Sequence, residues 1–400
     1  MDKLWDVTWP VIGKKEILGR VEAFREIMRR EAIDLVVMYS NMFDPSAVRY
    51  FADFYGVNES AGMVIPLEGD AILCSGQASH EWSSFKSAIR DIRIMPEVGE
   101  VSGVEYDLKG QIGFSELFAE IKTKYNIKKI GIVGEYIFPQ LIYSKMMEAF
   151  PMAEVVSADD FMYELRINKS PTEIACIRKA CDIITETVGY SVDRIKPGMT
   201  ELEIQADLEG KMLCLGAESY VQSFSPMVQS GPVHSHLCMS RNSRRQVEES
   251  EMIGLAAGAC YEGYNGIICT PVVLGNIPKE MSDAVKVAFE AMSLVEEQMR
   301  PGITSIEMYN IYIDFLKKTG YSQYCPYGSV HSIGLLECES PFFSAKKPIE
   351  MKENMTICTD VYFKGLPWGS FRVEDTFLIT KNGAERLTHH NDKVIPQMFK

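Results

Sequence analysis

The first 165 residues alternate between segments with the apolar spacing of helices and short apolar runs typical of strands. Residues 13–32 carry apolar side chains three and four positions apart, which is the repeat of an amphipathic helix. Residues 117–125 and 140–150 also have helical spacing, whereas the segment 49–56 has no clear period and is predicted to be irregular. The predicted strands lie at residues 35–39, 62–66, 71–74, 129–133 and 154–156. Helices that alternate with strands predict an α/β layer structure with a parallel or mixed sheet.

The pattern changes near residue 165, where a polar segment leads into a long amphipathic helix. Pro171 suits the first turn of that helix, and Ser170 is able to cap its N-terminus. A chain of 400 residues is also too long for one ordinary core. We therefore predict two domains, residues 1–165 and residues 166–400.

The second predicted domain contains an internal repeat of residues that end and begin helices. Pro197 ends one long helix shortly before Thr200, and Pro301 ends another shortly before Thr304, with Gly after each proline. Pro-Gly ends a helix and Thr caps the helix that follows. Strand-like sequence follows each helical pair, so we predict an α+β domain duplicated about 104 residues apart with pseudo-two-fold symmetry. The alternative is that this common helix punctuation recurs by chance.

The composition is that of a globular chain, with 46% hydrophobic and 24% charged residues. A net charge of −14 opposes non-specific binding to nucleic acid or to an anionic membrane, because both attract surfaces rich in Lys and Arg. Apolar runs such as residues 253–260 are too short to span a bilayer. The start of the chain, with Asp2 and Asp6, lacks the features of a secretory leader. We therefore expect a cytoplasmic protein whose ten cysteines, none in a CxxC pair, are free thiols.

Five segments resemble, in order, the motifs of the creatinase/aminopeptidase P family. They are residues 169–181 (KSPTEIACIRKAC), 230–232 (SGP, followed by a histidine), 258–264 (GACYEGY), 331–341 (HSIGLLECESP) and 371–388 (opening FRVEDT). Each motif alone is weak evidence, whereas their common order is specific. The resemblance implies a pita-bread fold for the second domain and hydrolysis at a C–N bond. The first domain matches the creatinase/prolidase N-terminal type in size and α/β pattern.

Metal-dependent peptidases of this family hold two divalent ions with two Asp, one His and two Glu. The resemblance places these ligands at Ala256, Ile267, His331, Asp360 and Glu374. Ala256 and Ile267 offer no oxygen donor, and a bridged pair of cations needs several carboxylates. We therefore predict that the chain has no metal cofactor. The alternative is one weakly bound divalent ion at His331, Asp360 and Glu374.

Creatinase, a member of the family, resembles this chain in lacking the aspartates and in having His-Ser rather than His-Gly at His331. It cleaves an amidine C–N bond without metal, which implies a histidine acid/base and carboxylates around a cationic group. We predict His236, His331 and Glu374 as catalytic residues. Alignment of the loop histidine needs a gap, so His234 stays open as an alternative to His236, and Cys238 is the residue aligned without a gap. An exposed turn is the other interpretation of this loop.

The predicted substrate-binding residues are Asp360, Arg372, Glu339 and Cys338. A carboxylate on an apolar strand is costly unless it is paired, so Asp360 either binds a cationic group or pairs with Arg372. The thiol of Cys338 is a candidate nucleophile. Packing is the simpler interpretation for Cys338 and for Cys269, which stands where creatinase has a guanidinium-binding glutamate.

The predicted function is metal-independent hydrolysis of a C–N bond in a small amidine- or amide-type compound. Two alternatives stay open: an Xaa-Pro peptidase with a reduced metal site, and a catalytically inactive pita-bread binding protein. The resemblance also implies a homodimer, in which Arg49 or Glu59 of one subunit reaches the partner's site. Neither nucleic acid nor a membrane is expected as a partner.

Overall fold

The computed structural model describes residues 9–100, 110–218, 225–237 and 239–399. Contacts within the chain divide it into two units. One comprises Ile12–Arg166, and the other comprises Ile167–Lys400 together with the residues up to Val11. The predicted boundary between residues 165 and 166 lies one residue before this division.

The Ile12–Arg166 unit contains a six-stranded mixed sheet. Its strands are β1 (Leu35–Ser40), β2 (Ala61–Pro66), β3 (Ile72–Ser75), β4 (Asp91–Ile94), β5 (Lys129–Val133) and β6 (Glu154–Ser157). Its helices are α1 (Lys14–Arg30), α2 (Ser46–Ala52), α3 (His80–Lys86), α4 (Phe114–Lys124), α5 (Gln140–Ala149) and α6 (Asp159–Arg166). The strands pair in the order β4-β3-β2-β1-β5-β6. Strand β1 runs parallel to β5, and β5 to β6.

The core of this unit explains why its strands have continuous apolar runs. Leu35 and Val37 of β1 pack with Phe114 and Phe118 of α4 in one apolar cluster. Val36, between them in the sequence, is also fully buried. A strand that is buried on both faces has no polar alternation.

Helix α2 overlaps the start of the segment 49–56 that the sequence predicted to be irregular, so that prediction is wrong for residues 49–52. Its seven residues, Ser46–Ala52, are all buried. A short helix without an exposed polar face has no amphipathic period by which it can be recognised.

The Ile167–Lys400 unit is built around an eight-stranded sheet. Its strands are β7 (Met227–Ser230), β8 (Met252–Tyr261), β9 (Tyr264–Val273), β10 (Val330–Ser332), β11 (Glu339–Phe342), β12 (Thr356–Leu366), β13 (Gly369–Thr380) and β14 (Gly383–Arg386). Its helices are α7 (Pro171–Val192), α8 (Glu201–Cys214), α9 (Gly231–His234), α10 (Lys279–Gln298), α11 (Ser305–Thr319) and α12 (Asn391–Val394). The strand order is β11-β10-β12-β13-β9-β8-β7, and β14 pairs with β13.

The two halves of this unit repeat the same backbone contacts. In the first half, the Gly198 N–H donates to the Val247 carbonyl over 2.9 Å; in the second, the Gly302 N–H donates to the Met351 carbonyl over 3.0 Å. Each residue of the second pair lies 104 positions after its counterpart in the first. The long hairpins β8–β9 and β12–β13 meet where β9 pairs with β13. These repeats confirm the predicted internal duplication.

Three helices of this unit, α7, α8 and α11, begin at the predicted capping residues. Ser170 Oγ accepts a hydrogen bond from the Glu173 N–H (3.1 Å), and the Glu173 carboxylate accepts one from the Ser170 N–H (2.7 Å). Thr200 caps α8 and Thr304 caps α11 with the same reciprocal pair of bonds. Each cap satisfies backbone donors that a helix N-terminus leaves open.

Two expectations drawn from composition concern cysteines and membrane spans. The cysteines within the described ranges are all free thiols, in agreement with the prediction. No described helix combines the length and the apolar character that crossing a bilayer requires.

Candidate active site

Adjacent strands bring several predicted site residues onto one face of the eight-stranded sheet. His331 on β10 lies opposite Cys358 on β12. Asp360, two residues further along β12, lies opposite Glu374 on β13, and Glu374 lies opposite Cys269 on β9. Because alternate residues of a strand point to the same side, Cys358 and Asp360 share a face. The strand register therefore clusters these five residues.

A cavity of about 420 Å³ opens on this face. Its volume lies within the range of small-molecule binding sites. The predicted site residues that line it are His331, Cys338, Asp360, Arg372 and Glu374. The other polar and aromatic lining residues include Tyr309, Tyr327, Glu337, Phe342 and Phe343.

His331 and Glu374 form a buried pair inside this cavity. The His331 Nε2 lies 3.2 Å from the Glu374 Oε1, and the His331 Nδ1 lies 3.1 Å from the Ser332 carbonyl oxygen. Burial opposes a charged imidazole, but hydrogen bonding with Cys338 and Glu374 raises the pKa of His331 well above its usual value. Burial likewise opposes a charged Glu374, yet the imidazole lowers the pKa of that carboxyl. The favoured state is therefore an imidazolium paired with a carboxylate.

Asp360 has neutralising partners of its own. The Tyr327 hydroxyl donates to the Asp360 Oδ2 over 2.5 Å, and the Arg372 Nε lies 3.6 Å from the Asp360 Oδ1. The Arg372 guanidinium also lies over the Tyr362 ring, 4.3 Å from its centroid. Burial and the nearby charge of Glu374 nevertheless raise the pKa of Asp360 to about 6. The predicted pairing of Asp360 with Arg372 is thus present in the structure.

Glu337 is a third carboxylate in the cavity. Its Oε1 lies 3.8 Å from the His331 Nε2. Burial and repulsion by Glu374 raise the pKa of Glu337 to about 7. A carboxyl group in this position can hold or release a proton next to the imidazole.

A pair of bridged metal ions does not fit the residues present. Ala256 and Ile267, the positions expected for the two aspartates, are buried in one apolar cluster with Met227, Ile333 and the two cysteines Cys269 and Cys358. Two divalent ions need several oxygen ligands to balance their charge. At these two positions a second ion would face the side chains of Ala256 and Ile267, which offer no ligand atom.

One smaller set of side chains remains compatible with a single ion. In the part of the chain that the structure describes, the group of residues able to hold a metal is His331, Cys358 and Glu374. Their ligand atoms all lie within 4.8 Å of one another. The alternative set predicted from the sequence contained Asp360 in place of Cys358. One Asp360 oxygen accepts a hydrogen bond from Tyr327, and the other lies 3.6 Å from the Arg372 Nε.

The loop histidines lie outside the residues that line the cavity. The His236 Nδ1 lies 2.7 Å from the Ser370 Oγ. The His234 Nδ1 lies 2.6 Å from the buried carboxylate of Glu201. Cys238, the residue aligned without a gap, falls outside the described residues. A catalytic role for His236 therefore stays a prediction that this arrangement does not support.

Glu339 also lies apart from the cavity lining, in a buried ion pair. Its Oε1 lies 3.0 Å from the Lys169 Nζ, and both side chains are almost fully buried. The Leu336 N–H lies 3.4 Å from the second carboxylate oxygen of Glu339. This geometry makes Glu339 an anchor of the loop between His331 and Cys338, whereas substrate binding by Glu339 stays untested.

Tyr327, Glu337 and Cys358 are among the cavity or cluster residues that were not identified from the sequence. A signal existed for Cys358, because it lies two positions before Asp360 on a strand and must point the same way. Glu337 lies within the resembling segment 331–341, yet no motif position distinguishes it. Tyr327 lies outside every resembling segment, so only the folded chain brings it to Asp360.

Comparison with known proteins identifies both halves of the chain. Residues 175–381 match the metallopeptidase family M24, and residues 20–168 match the creatinase/prolidase N-terminal domain. An Xaa-Pro dipeptidase of Pyrococcus furiosus is 28% identical over 372 residues, which cover 92% of this chain and 97% of that protein. An Xaa-Pro dipeptidase of Pyrococcus horikoshii is 27% identical and covers 94% and 98%, respectively.

Solved structures agree with these sequence matches. The prolidase of Pyrococcus horikoshii has a TM-score of 0.78 at 26% identity, covering 93% of this chain and 98% of that one. The prolidase of Pyrococcus furiosus has a TM-score of 0.76 at 27% identity, covering 92% and 99%. An X-Pro aminopeptidase of Thermotoga maritima is similar in fold, with a TM-score of 0.80 at 23% identity and coverage of 92% and 97%.

These matches confirm the predicted family resemblance and the predicted pita-bread fold. They support hydrolysis of a C–N bond, and they favour the Xaa-Pro peptidase alternative over the amidine hydrolase. The prediction that the chain has no metal is not supported, because the matched family is one of metallopeptidases.

Proposed function

Because this chain belongs to the metallopeptidase family M24, we propose that it hydrolyses a C–N bond of a small substrate bound in the cavity beside His331. The observation that carries this proposal is the convergence of His331, Glu337 and Glu374 on one cavity of small-molecule size. Such a cavity, with an imidazole hydrogen-bonded to Glu374 and 3.8 Å from Glu337, has the composition of a general acid/base site.

The first substrate class is a dipeptide with proline in the second position. The two relatives described as Xaa-Pro dipeptidases match almost the whole chain and support this choice. The positive charge of Arg372 in the cavity can pair with a substrate carboxylate. The aromatic side chains of Tyr309 and Phe343 in the cavity offer apolar surface to a pyrrolidine ring.

Proton transfer during this reaction is assigned to the pair His331 and Glu337, whose side chains lie 3.8 Å apart. One of them accepts a proton from the attacking water, whose oxygen bonds to the carbonyl carbon. As the C–N bond breaks, the proton is returned to the leaving nitrogen. The products are a carboxylic acid and an amine, and the two side chains regain their starting states.

A second candidate substrate class is an amidine or guanidino compound, cleaved without metal. It is favoured by the number of carboxyl groups in the cavity, because Glu337, Asp360 and Glu374 outnumber the two cationic side chains, Arg372 and His331. Carboxylates in a partly dry cavity stabilise a cationic nitrogen group. Under this proposal Cys338 borders the substrate, and its role as a nucleophile stays a prediction.

A substrate screen tests the proposal and separates the two classes. Purified protein is incubated with Gly-Pro, Ala-Pro, creatine and other guanidino compounds, with chelator in one arm and added Zn²⁺ or Mn²⁺ in another. Release of free proline supports the dipeptidase, and release of urea or ammonia supports the amidine hydrolase. No turnover of any compound in either arm contradicts a hydrolase and favours the inactive binding protein.

An active-site control accompanies the screen. Glu337→Gln is expected to lower turnover of the active substrate by about 10²- to 10⁴-fold, the range for loss of a general acid or base. Glu262→Gln, in the tight turn between β8 and β9, is the matched control and should leave turnover unchanged. Equal losses of turnover in the two variants would contradict the proposal that this cavity is the active site.

A further inference from the structure

We propose that His331, Cys358 and Glu374 bind one zinc-type divalent cation, a site in which the thiolate of Cys358 takes the place of an oxygen ligand. This inference goes beyond the proposed function, which requires no cation and no role for Cys358. It starts from the three side chains whose ligand atoms lie within 4.8 Å of one another.

Adjacent strands hold the three ligands. His331 on β10 is the direct strand partner of Cys358 on β12, and Cys358 is the direct partner of Thr376 on β13. Glu374 precedes Thr376 by two residues, so its side chain points to the same face. Cys358 is fully buried and Glu374 is 3% exposed. Ligands on paired strands are positioned more precisely than ligands on loops.

The ligand types select a zinc-like ion over a hard ion. Imidazole nitrogen, thiolate sulfur and carboxylate oxygen are the three ligand types of zinc sites, and three protein ligands with one open position are typical of a catalytic site. A neutral imidazole, a thiolate and a carboxylate together carry two negative charges, which balance a divalent cation. Ca²⁺ and Mg²⁺ prefer several oxygen ligands, whereas this group of three residues offers one carboxylate beside a nitrogen and a sulfur ligand.

Contacts around the ligands orient them toward such an ion. The His331 Nδ1 lies 3.1 Å from the Ser332 carbonyl, to which it donates, and this leaves the Nε2 as the ligand atom. The Cys269 Sγ lies 3.0 Å from the Glu374 Oε2, so the Oε1 is the carboxylate oxygen on the His331 side. The cation would replace the 3.2 Å hydrogen bond between His331 and Glu374.

The surroundings allow one ion rather than two. Ile267 lines the cavity beside Glu374, and Ala256 lies in the same apolar cluster as Cys358. Neither side chain can coordinate a second ion. A single bound cation would supply Lewis-acid chemistry next to the cavity, and Glu337 would then be the proton carrier of the proposed reaction.

The test uses cobalt(II) as a spectroscopic probe for the full-length protein. The protein is stripped with chelator, dialysed and titrated with CoCl₂ in the absence of substrate. The expected result is uptake of one ion per chain with a near-ultraviolet thiolate-to-cobalt charge-transfer band. Zinc should displace the cobalt and abolish the band, because Zn²⁺ binds such ligands more tightly than Co²⁺ does.

Matched cysteine variants assign the ligand. Cys358→Ser should lose the charge-transfer band and weaken cobalt binding by more than about 100-fold, the upper range for loss of an outer contact. Cys214→Ser, an exposed thiol on α8, should keep both band and affinity. Cys269→Ser should keep the band, because Cys269 contacts Glu374 and is not a ligand in this proposal.

Two results would overturn the inference. One is wild-type protein that takes up no cobalt, or takes it up without a thiolate band; this result does not depend on any variant folding. The other is a band that survives in Cys358→Ser but disappears in Cys269→Ser. Since no substrate is present, failure of this test is separate from failure of the substrate screen.

Discussion

The carboxylates in and near the cavity each have a cationic or hydrogen-bonding partner. His331 pairs with Glu374, and Asp360 pairs with Tyr327 and Arg372. Outside the cavity lining, Lys169 pairs with Glu339. Buried carboxylates are costly unless they are paired, so breaking any of these pairs should destabilise the fold.

The imidazole of His331 is the residue whose loss should affect turnover most clearly. His331→Gln removes an imidazole that either carries the proton or, in the proposed cation site, supplies the nitrogen ligand, so kcat on the substrate identified by the screen should fall by about 10²- to 10⁴-fold. His236→Gln should have a much smaller effect, because His236 does not line the cavity. Steady-state kinetics with far-UV circular dichroism as the folding check measures both. Equal losses of kcat in the two variants would indicate that His236 also acts in the active site.

The buried ion pair of Lys169 and Glu339 should be costly to break. Lys169→Met leaves the Glu339 carboxylate buried without its cation, which should lower the free energy of unfolding by about 3–5 kcal/mol. The double substitution with Glu339→Met should recover part of this loss. Urea-induced unfolding measures the change.

The control for this prediction is an exposed ion pair. Lys279→Met removes a partner of Asp283 in a pair whose side chains are 84% and 53% exposed, so the change should stay below about 1 kcal/mol. If Lys169→Met lowered the free energy of unfolding no more than Lys279→Met does, the inference that Glu339 anchors the loop after His331 would be wrong.

Residue-level prediction from the sequence came closest to the cavity where a motif fixed the position, while the roles of these residues stay predictions. His331, Arg372 and Glu374 lie in resembling segments, and all three line the cavity. Glu339 also lies in such a segment but faces Lys169, because which way a loop side chain turns depends on the folded chain. For the same reason the contact of Tyr327 with Asp360 could not be foreseen.

At the scale of elements, duplication explains why the two halves use the same helix starts. Thr200→Val and Thr304→Val each remove a side-chain cap, so each should lower the free energy of unfolding by about 1 kcal/mol. Thr319→Val, at the other end of α11 from Thr304, should change it by less than about 0.5 kcal/mol. Urea unfolding measures all three variants, and equal losses for Thr304→Val and Thr319→Val would contradict the capping role.

Long amphipathic helices and apolar strand runs were predictable from the sequence, whereas the short buried helix α2 was not. The predicted strand 129–133 coincides with β5, and α1 begins one residue after the predicted segment does. Helix α2 was missed because all of its residues are buried. A long amphipathic helix has a repeating pattern of apolar residues in its sequence. A short helix that is buried on all sides has no such pattern, so only the packing around it shows that it is a helix.

At the scale of the whole molecule, stability should depend on pH partly through His390. Burial lowers the pKa of His390 to about 4, and the side chain is 6% exposed. In the unfolded chain its pKa returns to about 6.5, so the unfolded state binds more protons between these values. Stability is therefore lost as the pH falls from about 6.5 to 4, and is unaffected by this group above that range.

Replacement of His390 should flatten this part of the pH profile. When the pH falls from 7 to 4, the free energy of unfolding of the wild type should decrease by up to about 3 kcal/mol more than that of His390→Gln. His389→Gln, an exposed neighbour, is the control and should leave the profile unchanged. Urea unfolding at several pH values measures this shift, and parallel profiles for wild type and His390→Gln would contradict the prediction.

The overall architecture was predictable from two features of the sequence: the motifs occur in the order of the family, and the same residues end and begin helices in both halves of the second domain. The metal content was not, because it depends on which side chains the strands bring together. The sequence shows that Ala256 and Ile267 lack oxygen donors, while only the strand register adds Cys358 to His331 and Glu374.

The most direct test of this account is a crystal structure of the protein grown with manganese, with anomalous scattering data to locate the ions. We expect no pair of manganese peaks, because Ala256 and Ile267, where the family resemblance implies aspartates, lie in an apolar cluster. Two peaks about 3.5–4 Å apart beside His331 and Glu374, the spacing of a two-metal catalytic site, would contradict it.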